Sequence, residues 1–204
     1  MATQRLTMPR FWKSTQVQCP FTVGGPEETW VVEAASQTYK KGQMVYWDTS
    51  GHVAICTQST SIMTSEILGF ATQDGENGSA GVPTTRVNVI RMGDILVANV
   101  WNAAGDAVSA KSQLGDVFGL TLVNPTSKAA ATATTDVWAV DLDNTTIEDL
   151  DESEARCRVV GFPTGVVNGV QSAIGDIFGF VLIQILPYSI ASDGTPHQRI
   201  LQIL

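Results

Sequence analysis

A catalytic site needs a nucleophile, a base within reach and a group that stabilises charge. The residues that could supply these are few: two histidines, three cysteines and one cluster of acids. His52 follows a turn glycine and His197 follows a proline, so both read as surface turn residues rather than general bases. His52 and Cys56 would share one face of an extended strand, but at ~3.3 Å per residue they stand about 13 Å apart, too far for a dyad. Cys19, Cys56 and Cys157 are widely spaced with no Cys-x-x-Cys pair, which indicates neither a zinc site nor a disulfide framework. Asp141, Asp143, Glu148, Asp149, Asp151, Glu152 and Glu154 form a run that no Lys or Arg interrupts. Several carboxylates can hold a hard cation. Here, however, DNTTIEDLDESE lacks the alternating acids, central glycine and closing glutamate of an EF-hand loop, and it reads as a solvated loop or short helix. The loop QDGENGSAG has glycines but no Gly-Lys-Ser/Thr, so it is no phosphate cradle. The sequence therefore predicts no catalytic residue, no metal site, no cofactor and no enzymatic activity.

The elements that would position such residues are short and extended. TWVVEAA (29–35), QMVYW (43–47), HVAICTQ (52–58), EILGFAT (66–72), RVNVI (86–90), DILVANVW (94–101), VWAVD (137–141), RVVGF (158–162), IFGFVLIQIL (177–186) and RILQIL (199–204) are apolar or alternating runs, punctuated by Gly, Asn, Asp and Pro. Gly69 inside one of them marks a bulge or a close backbone approach. No long stretch repeats with a 3.6-residue period, so the fold class is all-β, a β-barrel or β-sandwich with an extended N-terminal arm and loops. SQLGDVFGL (112–120) and SAIGDIFGF (172–180) share one pattern, which points to two related β units, 29–124 and 125–204, within a β domain spanning 29–204.

Charged residues make up 16% of the chain against roughly 25% in typical soluble domains, so its surface should be buried against partners. The net charge of -8 argues against nucleic acid, whose phosphates need Lys and Arg. No stretch approaches the ~20 apolar residues of a membrane span, and the start lacks the apolar run of a secretory signal, so the expectation is no membrane and synthesis in a cytoplasm. Residues 1–28 form the arm. Arg5, Arg10 and Lys13 are basic with no acid among the first twenty residues, and Phe11 and Trp12 sit beside them as candidate anchors on a partner. The alternative is that the arm is an edge strand of the domain's own sheet. The five tryptophans, Trp12, Trp30, Trp47, Trp101 and Trp138, could form a glycan-stacking platform, but four lie in or beside predicted strands, where aromatic residues fill cores.

Residues 39–100 resemble the small β domain of phage capsid decoration (cement, head-stabilising) proteins. The residues that carry the resemblance are Lys41, Gly42 and Val45, then Ile67, Leu68, Gly69, Phe70 and Ala71, then, after a glycine-rich loop, Val87 and Val89. The resemblance implies a structural virion protein, made in the host cytoplasm, that sits on the capsid exterior against the major capsid protein as a homo-oligomer, a trimer or similar. A receptor- or carbohydrate-binding module of a virion is the alternative.

Overall fold

The computed structural model describes residues 2–11, 28–48, 50–56, 66–75, 84–90, 94–130, 136–143, 156–163, 166–167, 170–171 and 173–185. Strands dominate these residues, and the fold is all-β. They are β1 (Arg10–Phe11), β2 (Glu28–Val32), β3 (Met44–Trp47), β4 (Val53–Ile55), β5 (Glu66–Ala71), β6 (Thr84–Val89), β7 (Leu96–Trp101), β8 (Val117–Val123), β9 (Val137–Asp141), β10 (Arg156–Gly161), β11 (Val166–Val167), β12 (Val170–Gln171) and β13 (Phe180–Ile185). Most coincide with the alternating runs of the sequence. β8 does not, because VFGLTLV is buried along almost its whole length and shows no alternation.

Strands β2 to β6 make one antiparallel sheet in the order β2-β6-β5-β3-β4. A parallel bridge between Glu33 and Val53, with the Ala34 N–H donating to the Val53 carbonyl at 2.8 Å, joins its two edges. The second sheet runs β7-β13-β10-β8-β9, and a parallel pairing of Val100 with Val140 and Trp101 with Asp141 closes it into a five-stranded barrel. β1 lies antiparallel on the rest of that β7 edge, Arg10 opposite Val97 and Phe11 opposite Leu96.

The two rings follow one plan. Taking β2, β3, β4, β5 and β6 as the counterparts of β7, β8, β9, β10 and β13, every neighbour relation is the same, including the parallel closure. The register agrees as well. Val45 opposite Gly69 and Gly69 opposite Val89 correspond to Phe118 opposite Cys157 and Cys157 opposite Ile185. Trp30 opposite Arg86 corresponds to Val97 opposite Leu182, and Glu33 beside Val53 to Val100 beside Val140. Followed once round the ring, these correspondences close without a residue to spare. Each ring also opens its second strand with the same turn. Gly42 (φ +91°) and Gly115 (φ +92°) take the left-handed conformation that glycine accepts without strain. Their N–H groups donate at 2.8 Å to Ala71 and Val159, which occupy one place in the two rings.

The first sheet thus takes its strands from β2 to β6, and the second takes β1 and the strands from β7 onward other than β11 and β12. The repeated pattern is local turn chemistry. Both copies form a tight turn, Asp116 N–H to Gln113 carbonyl and Asp176 N–H to Ala173 carbonyl, with Gly115 and Gly175 at positive φ, and both belong to the second barrel.

The first barrel is filled by Val31, Tyr39, Val45, Val53, Leu68, Ala71, Val87 and Val89. A larger apolar cluster runs from the interior of the second barrel, including Val100, Phe118, Cys157 and Ile183, to Met44, Cys56, Phe70 and Ile90 of the first. One seam therefore joins the two rings, and the Gln43 side-chain amide crosses it to the Asp136 carbonyl at 2.6 Å. No described helix is long and apolar enough to cross a membrane.

Candidate partner-binding surface

Residues 2–11 run extended along their own chain. The Gln4 N–H donates to the Ile177 carbonyl at 2.7 Å, and the Ile177 N–H returns to the Ala2 carbonyl at 2.8 Å. The Asp176 carboxylate collects three donors: the Ala2 N–H at 2.9 Å, the Gln4 side-chain amide at 2.7 Å and the Ala173 N–H at 3.2 Å. These bonds, the Ala2 N–H foremost, hold Asp176 below the ordinary aspartate range. Further along, the Asn99 side chain accepts from the Thr7 N–H at 2.9 Å and donates to the Arg5 and Phe178 carbonyls at 3.2 and 2.6 Å. Leu6 is buried in the large apolar cluster.

Of the arm residues singled out by sequence, Arg5 points its side chain to solvent while its carbonyl is held by Asn99. Arg10 and Phe11 form β1 by their backbones. Trp12 and Lys13 lie outside the described residues. Sequence reasoning missed Asp176 and Asn99. Asn99 had a visible signal, a polar residue in the apolar run LVANVW; Asp176 had none, because its turn twin Asp116 is exposed.

The tryptophans divide. Trp138 is fully buried, Trp101 is buried with its indole N–H on the Lys128 carbonyl at 2.7 Å, and Trp47 packs against the first barrel's core. Trp30 is 60% exposed, with the Arg86 guanidinium over its ring at 4.6 Å from the centroid. Among the described residues, then, one tryptophan is strongly exposed, and no multi-tryptophan platform forms.

The remaining chemistry-bearing residues are placed as follows. His52 closes the β3–β4 turn, where its N–H donates to Asp48 at 2.8 Å. His197, Cys19 and the acids beyond Asp143 lie outside the described residues. Cys56 and Cys157 are buried free thiols, and burial pushes both well above the usual thiol range. Asp141 is raised by burial, and Asp143 accepts the Ala103 N–H at 2.7 Å. No group of three or more potential metal ligands occurs among the described residues. No protein-family model matches the chain, and no curated protein matches it.

Proposed function

We propose that the protein is a structural virion subunit, made in the host cytoplasm, that binds the outside of a phage capsid and cements or decorates it without catalysis. Its partners are the major capsid protein and further copies of itself, in a homo-oligomer that by the resemblance is a trimer or similar. The observation that supports this reading most is where the resembling residues lie. Lys41 and Gly42 form the turn into β3, Val45 is in β3, Ile67 to Ala71 lie in β5, and Val87 and Val89 lie in β6. All belong to one small barrel, and the chain carries the same plan a second time.

The apolar strand β13 is no argument for self-association, because Phe180, Val181 and Ile183 are buried within their own chain. The test is co-sedimentation of the purified protein with expanded, empty capsids. Saturable binding that raises the shell's resistance to heat or denaturant is the expected result; no binding at micromolar concentration would end this reading. The exposed Trp30 favours the second reading, a receptor- or carbohydrate-binding module, and glycan-array binding abolished by Trp30→Ala would support that instead.

A further inference from the structure

Trp30 and Val97 hold the same place in the two rings, yet their surroundings differ. Val97 is 2% exposed, packs with Phe180 and Leu182, and has β1 paired along its backbone. Trp30 is 60% exposed, and Thr84 and Arg86, the counterparts of Phe180 and Leu182, face solvent. Backbone groups alternate in direction along a strand. The Ala34 N–H points toward β4, so the groups of Val32 and Trp30 point to the same side. Among the described residues no strand pairs there. An unpaired edge is a template for strand addition, and Trp and Arg are among the residue types most enriched at the centre of protein interfaces. Arg86, stacked on the indole, holds Trp30 in place beside that edge.

We propose that the open half-edge of β2, flanked by Trp30 and Arg86, binds an extended segment of a second copy of this chain in antiparallel register, as β1 binds β7 within the chain. The nature of the occupant follows from the second ring, where the corresponding groove is filled by an extended segment of this same sequence.

The inference rests on the self-association part of the proposed function and names its surface. Sedimentation of the full chain at micromolar concentration, without capsids, tests it. Wild type should associate, and Trp30→Lys and Arg86→Glu should each weaken association at least tenfold with unchanged circular dichroism. Both positions are exposed, and should Trp30→Lys lose its fold, Arg86→Glu decides alone. A wild type that stays monomeric overturns the inference and the self-association reading together. A wild type that associates no more tightly than both variants overturns the edge alone. Undiminished association with loss of capsid binding in the variants would assign the edge to a different protein and overturn the inference.

Discussion

Inside the first barrel Thr85 stands where the second has Val181, and Glu33 where it has Val100; all four are buried. The Tyr39 and Thr85 hydroxyls lack a well-formed hydrogen bond, and a buried polar group in that state costs about 1–3 kcal/mol. Burial pushes the Tyr39 hydroxyl up to about 12, with Thr85 and Glu33 as its polar neighbours. Thr85→Val keeps the shape, removes the unmatched hydroxyl and copies the second ring. It should stabilise the protein by about 1 kcal/mol, read as a higher urea midpoint at unchanged slope; a lower midpoint would mean that the hydroxyl makes a bond the chain needs. None of this was legible in the sequence, because Thr and Val suit a strand equally well. Gly69 was legible. A Cβ there would lie 2.0 Å from the Asn88 carbonyl oxygen, and the β3–β5 register shifts beside it, so the close approach and the bulge expected of that glycine are both present.

At the scale of elements, the N-terminal segment depends on Asp176. Its carboxyl is held below the ordinary aspartate value of 3.8, so the stability it contributes is present above that value and is lost as pH falls beneath it. Hydrogen bonds to a charged acceptor are worth about 1.5–3 kcal/mol each. Asp176→Asn should therefore speed amide exchange at Ala2 to Leu6 at neutral pH, leave the strands of the first barrel protected, and flatten the acid dependence; equal protection in the variant would contradict this. The sequence located the segment but not its seat, since Ala2 and Asp176 lie 174 positions apart and no local pattern reports such a pairing. The strand runs were readable for the opposite reason, that alternation is written within five or six neighbouring residues. β8 escaped because VFGLTLV is buried on both faces and so carries no alternation to read.

At the scale of the whole molecule, the apolar seam makes the rings interdependent. Cys56 of the first and Cys157 of the second belong to one continuous cluster. Both thiols should resist alkylation in the native protein and become reactive at the same urea concentration; two separate midpoints would show that the rings unfold independently. The docking of residues 2–11 onto the second ring also has a consequence for synthesis. The first ring, drawn from residues 28–90, can close while the second is still being made. Residues 2–11 leave the ribosome well before Asp176 and β7 have both been added, an interval that at ~5–20 residues per second is on the order of ten to thirty seconds. For that interval Leu6 stays unburied on the nascent chain. Neighbouring ribosomes on one message would then offer it competing seats, so exchange of this segment between newly made copies is a built-in hazard of the fold, and a route by which copies could become linked as they are born.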